Sequence, residues 1–197
     1  MIPAWFARFM IRLFGVRLID HNKGDWPKKY IMPVVTHTSN RDFWYGVYSR
    51  SILDEYINFV GKSSLFKGPL GAYLKWMGGV PVVREKRSNF VDSVAGIFQE
   101  RDEFRLALAV EGTRAKVDHF KTGFYFIAKE AKVPLILCRF DFGNEGVIEF
   151  SKPYYLTDDI RADFDFIYRY LDGAVGLVPE NSFVYDPKVL DLLPKEK

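Results

Sequence analysis

The chain changes from a strand pattern to a helix pattern within YIMPVVTHTSNRDFWYGVYS, residues 30–49. The apolar run before His37 predicts a buried strand, and the segment that begins at Asp42 predicts a helix. Neither element alone brings the two residues together, because five residues turn a helix by about 140° and an odd spacing puts strand side chains on opposite faces. Ser39 and Asn40 favour a turn between them, since both are good helix N-caps. We therefore expect the histidine and the aspartate to meet at a strand-to-helix turn.

Beyond this stretch, short apolar runs alternate with longer amphipathic ones, which is typical of an α/β domain. With 197 residues and 48% hydrophobic content, the chain can form one sizeable core. We predict a single α/β domain with a central, mostly parallel or mixed sheet flanked by helices. The predicted strands lie near 30–36, 56–60, 80–83, 104–110, 133–139 and 145–150. The predicted helices lie near 42–53, 64–77, 88–101, 121–131 and 160–175.

Charge and cysteine content exclude several classes of protein. The net charge of +3 is too small to indicate a nucleic-acid partner, and no basic motif interleaved with aromatic residues is present. Cys138 is the single cysteine and lies in an apolar run, which predicts a buried strand residue. No disulfide can form within the chain, which is compatible with a reducing cytosol.

The first residues predict an amphipathic helix, so we divide the chain into an N-terminal helical segment, 1–18, and a main domain, 19–197. Residues 1–30 carry a charge of +4 (six Lys/Arg against two Asp), and the remaining residues carry −1. Four apolar residues fall on one side of this helix, with two arginines elsewhere: Ile2, Phe6, Phe9 and Leu13, against Arg8 and Arg12. The stretch is too short and too often interrupted by arginine to span a bilayer. It could lie in a membrane interface or pack on the domain core.

A second polar group follows the predicted strand near 104–110. Gly112 lets the backbone approach a ligand, Thr113 can donate a hydrogen bond, and Arg114 offers a fork suited to phosphate oxygens. Glu111 could orient that guanidinium or accept a hydrogen bond from a substrate hydroxyl. A further arginine, Arg84, follows a glycine turn and a short strand, and it could be a second phosphate ligand or a solvated surface charge.

Together these segments resemble the glycerolipid acyltransferase family, whose best-known members acylate 1-acyl-sn-glycerol 3-phosphate. Four blocks occur in the family's order over roughly residues 30–140. His37 and Asp42 match the two catalytic positions of the Asn-His-x4-Asp block. The other three blocks are similar to Gly79-Val-Pro-Val-Val-Arg84, Ala109-Val-Glu-Gly-Thr-Arg-Ala115 and Val133-Pro-Leu-Ile136. Departures from the family pattern are Thr36 for Asn, Pro81 within the second block, Val110 for Pro and Ala115 for Ser.

The resemblance implies transfer of a fatty acyl group from acyl-CoA or acyl carrier protein to the hydroxyl of a glycerophospholipid precursor. His37 would be the general base and Asp42 would orient its imidazole. Glu111, Gly112, Thr113, Arg114 and Arg84 would bind the acceptor's phosphate and glycerol, and Lys62 could help to stabilise the oxyanion. The acyl chain needs an apolar groove, for which the candidates are Leu65, Phe66, Leu70, Leu74 and Trp76; these side chains could equally belong to the core.

The same base would also serve a thioesterase or lipase, with water in place of the alcohol, and a non-catalytic lipid-binding module is a third alternative. No cofactor or metal is expected, because the three histidines show no ligand spacing. We expect a cytoplasmic protein that is peripheral on the cytoplasmic face of the membrane. The sequence leaves open the acceptor, the acyl length, the donor carrier and the oligomeric state.

Overall fold

The structure, a computed structural model, describes residues 2–82, 87–143 and 146–194. Its helices are α1 (Ala4–Leu13), α2 (Asp42–Leu53), α3 (Gly68–Trp76), α4 (Arg87–Glu100), α5 (Gly123–Ala131) and α6 (Ile160–Leu171). Its strands are β1 (Arg17–Asp20), β2 (Lys29–Val35), β3 (Asn58–Lys62), β4 (Gly79–Val82), β5 (Phe104–Ala109), β6 (Cys138–Asp141) and β7 (Val147–Phe150). Short 3-10 turns cover Ser63–Phe66, Pro179–Asn181 and Pro187–Leu192.

The seven strands form one sheet in the order β1-β7-β6-β2-β5-β3-β4. Neighbouring strands run parallel except for β6 and β7, which are antiparallel. Only a short connection joins those two strands, whereas a parallel neighbour needs a crossover of about a dozen residues. The predicted α/β fold with a mostly parallel or mixed sheet and flanking helices is confirmed.

The two faces of the sheet bury separate sets of side chains because strand residues alternate in direction. In β2, Tyr30 and Met32 pack into one apolar cluster, which also receives Ile11 of the first helix. Ile31 and Val35 point to the other side, into a larger cluster formed with α4, α5 and α6. The domain is therefore a three-layer sandwich, with α1 and α2 on one face of the sheet.

Helix α1 packs on the domain through a different stripe from the one predicted to be apolar. Ala7 and Ile11 are buried, and the helix lies against α2. The predicted stripe faces solvent, since Phe9 and Leu13 are 58% and 63% exposed. The described ranges contain no helix with the length and apolar character needed to cross a bilayer.

The helical segment ends earlier than expected, so the predicted boundary at residue 18 falls inside strand β1. Gly15, two residues after the end of α1, adopts a left-handed conformation (φ 66°), which turns the chain toward the sheet. Residues 17–20 then pair in parallel with β7 at the edge of the sheet. This strand is absent from the prediction.

The strand predicted over 133–139 begins later than expected, at Cys138, where the regular ladder with β7 starts. Pro134 has no N–H to donate, and Leu135 makes only isolated bridges. Cys138 is buried, and that burial raises the pKa of its thiol.

Candidate active site

The candidate site forms where two neighbouring parallel strands end. In the register of β2 and β5, Val34 lies opposite Ala109. His37 and Glu111 therefore leave the sheet at the same edge, three and two residues beyond that pair. The backbone N–H of His37 donates to Oε2 of Glu111 at 2.6 Å, which ties the first strand exit to the second.

His37 and Asp42 meet across the turn that joins β2 to α2. Nδ1 of the imidazole lies 3.3 Å from Oδ2 of the carboxylate, and the two side chains are 30% and 3% exposed. The same Oδ2 accepts a hydrogen bond from the N–H of Ser39 at 2.8 Å, which closes the turn. Asp42 is also the first residue of α2, where the helix dipole favours a negative charge. Because Nδ1 faces the aspartate, Nε2 on the far side of the ring is the nitrogen available to a substrate.

The expected helix caps are wrong. Arg41 holds the N-cap position, and its side chain makes no capping hydrogen bond. Ser39 instead accepts a hydrogen bond from the N–H of Arg41 at 3.2 Å, while Asn40 contacts the next strand exit. The turn is therefore held by Asp42 reaching back to Ser39.

Glu111 is buried at the centre of this arrangement. Burial raises the pKa of its carboxyl to about 7, and the nearby Asp42 carboxylate acts in the same direction. The hydrogen bond from the His37 N–H and the His37 imidazole oppose that shift. Glu111 does not orient Arg114, as one sequence-based interpretation required, because its carboxylate is directed to the backbone of the histidine turn.

Arg114 is oriented by an amide instead. Its guanidinium donates to Oδ1 of Asn40, so the loop after β5 contacts the turn after β2 a second time. Gly112, in a left-handed conformation (φ 70°), lets the chain reverse between the buried Glu111 and the exposed Arg114. Arg114 forms no ion pair with any described carboxylate, so its positive charge is available to an anion.

One cavity of about 1440 Å³ is lined by side chains from the turn after β2 and from the loop after β5. His37, Asp42, Gly112, Thr113 and Arg114 all line it. It continues beneath α2, where the lining residues include Met32, Val34, Gly46, Val47 and Arg50. The histidine, the aspartate and the arginine therefore share a single chamber.

Most of the remaining predicted site residues do not line this cavity in the described part of the chain. Lys62 ends strand β3, but its side chain, like the whole of Arg84, lies outside the described residues. Of the acyl-groove candidates, Leu65 lines the cavity and Leu74 is half-buried. Phe66 is buried instead, while Leu70 and Trp76 are exposed on α3.

The support behind the turn from His37 to Asp42 has no local sequence signal, because it comes from residues distant in the chain. Oγ1 of Thr38 accepts a hydrogen bond from the N–H of Val178 at 3.1 Å. A Cβ placed on Gly176 would lie 2.5 Å from the same Oγ1. The N–H of Gly176 in turn donates to Oγ of Ser182 at 2.9 Å. Only the fold brings this loop against the turn, and the absence of a side chain at Gly176 allows the approach.

Comparison with known proteins agrees with this architecture. The family model described as Acyltransferase matches residues 17–140. The crystal structure of the 1-acyl-sn-glycerophosphate (LPA) acyltransferase PlsC from Thermotoga maritima has a similar fold, with a TM-score of 0.60 and 15% sequence identity. The match covers 85% of this chain and 74% of that one. A search of curated proteins found no significant match. Because the family model spans more than half of the chain, the protein belongs to the Acyltransferase family.

Proposed function

We propose that the protein transfers a fatty acyl group from an acyl thioester, acyl-CoA or acyl carrier protein, to a hydroxyl of a glycerophospholipid precursor such as 1-acyl-sn-glycerol 3-phosphate. The observation that carries this proposal is the shared cavity, which is lined by the His37 and Asp42 pair and by Arg114, whose guanidinium is held by Asn40 and has no carboxylate partner among the described residues. The LPA acyltransferase activity named for the similar structure supports the same substrate class.

In the proposed reaction, Nε2 of His37 accepts the proton of the acceptor hydroxyl as its oxygen attacks the thioester carbonyl. The tetrahedral intermediate then collapses, the carbon–sulfur bond breaks, and the imidazolium returns the proton to the leaving thiolate. Asp42 stabilises the imidazolium and keeps the ring in one tautomer. The substrate's own hydroxyl is the nucleophile, so neither a nucleophilic side chain nor a cofactor is needed.

The acceptor's phosphate would bind Arg114, whose fork pairs with two oxygens and directs the hydroxyl toward the imidazole. Gly112 and Thr113 line the same cavity. Arg84 as a second phosphate ligand and Lys62 as an oxyanion donor stay predictions. The acyl chain would occupy the apolar region beneath α2, which extends from Asp42 to Arg50, about 12 Å along the helix.

The direct test is to incubate the purified protein with labelled acyl thioesters and a panel of acceptors, and to identify the lipids by mass spectrometry. The panel should include lysophosphatidate, glycerol 3-phosphate and an uncharged monoacylglycerol. We expect an acylated product with a phosphate-bearing acceptor and little with the uncharged one. Free fatty acid released equally with and without acceptor would instead identify a thioesterase or lipase.

The loop over residues 176–182, which contacts Thr38 in the catalytic turn, provides a second test. In Gly176→Ala, the new methyl would lie 2.5 Å from Oγ1 and 2.6 Å from Cγ2 of Thr38, so the turn must shift. Because small displacements of catalytic groups are costly, we expect kcat to fall by about 10-fold or more with a smaller change in KM.

The control for that variant is Gly96→Ala in α4, where an added Cβ meets no heavy atom of the described residues within 4 Å beyond its own helix backbone. Adding Thr38→Ala to Gly176→Ala removes the two closest contacts and should recover part of the lost kcat. Unchanged kinetics for Gly176→Ala would contradict a supporting role for the loop.

We also propose that the protein acts on the cytoplasmic face of a membrane, with α1 lying in the interface. The support is the exposed apolar side of α1, together with the exposed Arg8 and Arg12 beside it. We expect Phe6→Asp combined with Phe9→Asp to abolish co-sedimentation with liposomes.

A matched control for this pair is Tyr155→Asp combined with Val184→Asp, because both side chains are exposed and lie outside α1. Equal liposome binding by wild type and the α1 double variant would contradict the proposal. Loss of binding in the control pair would indicate a general effect of added negative charge.

A further inference from the structure

Arg41 lies inside the catalytic turn, yet nothing in the proposed reaction uses it. It holds the N-cap position of α2, directly before Asp42, and its side chain is exposed. Asp42 lines the cavity and Arg41 does not. Among the described residues, its guanidinium has no carboxylate partner, and its one recorded side-chain contact is with an aromatic ring. A cation without a described counter-charge therefore lies immediately outside the reaction chamber.

The ring beneath Arg41 belongs to Phe14, the residue that follows α1. The guanidinium carbon lies 5.8 Å from the ring centroid. The same ring packs edge-on against Tyr45, a buried residue of α2, at a centroid distance of 5.8 Å. Phe14 therefore connects the end of α1 to the catalytic turn and fixes the position of Arg41 relative to the helix.

The exposed apolar side of α1 runs from Phe14 back toward the start of the helix. Trp5 is 72% exposed, and Phe9 and Leu13 extend the apolar surface toward Phe14. Because the helix is anchored through its opposite stripe, this surface keeps a constant orientation relative to His37. Arg8 and Arg12 are exposed beside it, so an apolar surface is accompanied by positive charge, the composition that favours an anionic lipid interface.

We propose that Arg41 binds a lipid phosphate of the anionic bilayer on which α1 rests, and so holds the opening of the cavity against that bilayer. Asn40, the preceding residue, contacts Arg114. The turn thus carries one cation for the bilayer and orients another for the acceptor. The binding surface stands independently of the reaction, whereas its effect on turnover rests on the proposed function.

The test compares Arg41→Gln with Arg101→Gln. Arg101 is also exposed and also stacks on a phenylalanine, with its guanidinium carbon 5.1 Å from the Phe104 ring, but it follows α4 on the opposite layer. Binding is measured by co-sedimentation with vesicles of phosphatidylcholine alone and of phosphatidylcholine mixed with phosphatidylglycerol. We expect Arg41→Gln to weaken binding to the anionic vesicles by about fivefold and to leave binding to neutral vesicles unchanged.

Arg101→Gln should bind both kinds of vesicle as wild type does, and Arg41→Lys should retain most of the preference for anionic vesicles. Wild-type binding by Arg41→Gln would overturn the inference. So would an equal loss on both kinds of vesicle, which would assign Arg41 a structural role. Thermal unfolding of each variant separates these outcomes from a folding defect, and Arg41→Lys remains informative if the glutamine variant is unstable.

Turnover provides the second readout. With the acceptor embedded in anionic vesicles, Arg41→Gln should lower activity by about the same fivefold factor. With a water-soluble, short-chain acceptor it should equal wild type, and an equal loss with that acceptor would contradict the inference. If wild type acylates neither acceptor, the proposed function fails, and the vesicle-binding comparison still decides the role of Arg41.

Discussion

Replacing His37 with alanine is expected to lower acyl transfer by about 10²–10⁴-fold, because the acceptor hydroxyl then loses its general base. The imidazole is held 3.3 Å from Asp42 and lines the cavity that Arg114 also lines, so one substrate can contact the imidazole and the guanidinium together. The loss should appear in kcat more than in KM, since the histidine does not hold the phosphate. Initial rates with a saturating thioester and acceptor would measure it.

The chain offers a matched control for this experiment. His119 is exposed and lines the same cavity, but it contacts no carboxylate among the described residues. His119→Ala should keep activity within a few-fold of wild type. Equal rates for His37→Ala and wild type would remove the basis of the mechanism, and retained vesicle binding with no catalysis by either protein would favour the lipid-binding alternative.

Replacing Glu111 is expected to have the second largest effect, through the backbone of the catalytic turn. In Glu111→Ala the part-buried N–H of His37 loses its acceptor, which costs up to about 1–3 kcal/mol and frees the turn to shift. A displacement of about 1 Å at the imidazole could lower kcat by about 10²-fold. Glu111→Gln keeps an acceptor oxygen, so it should recover most of that loss.

Glu111 also makes stability depend on pH, with a definite sign. Its pKa rises from 4.5 to about 7 on folding, mainly because the carboxyl is buried. Between those two values the folded state binds more protons than the unfolded state, so the free energy of unfolding falls as pH rises. This loss of unfolding free energy is absent below pH 4.5 and complete above pH 7, where it reaches about 3 kcal/mol.

Urea unfolding of wild type and Glu111→Gln at several pH values would test this sign. The variant should gain stability relative to wild type as pH rises through that window, because its amide does not titrate. Glu130→Gln, at an exposed position on α5, is the control and should follow wild type throughout. Parallel curves for wild type and Glu111→Gln would mean that the buried carboxyl does not titrate there.

The sequence was sufficient for the elements that carry strong patterns. Tyr30 to Val35 reads as a buried strand and forms β2, while the helix predicted over 42–53 is α2. In contrast, β1 was missed because its four residues at the edge of the sheet are only partly buried, so their pattern is weak. A short edge strand is defined by its partner, and that partner, β7, lies far along the chain.

By itself, the sequence determined the α/β class, the strand-to-helix turn that holds His37 and Asp42, and the family, because each depends on local pattern and ordered motifs. Tertiary structure alone decided which groups the other residues contact. The register of β2 and β5 directs Glu111 to the His37 N–H. The loop after β5 contacts the turn after β2, so the guanidinium of Arg114 donates to Asn40. Packing of α1 through Ala7 and Ile11 left its most apolar side in solvent. These outcomes depend on distances between segments remote in the chain, which local periodicity does not specify.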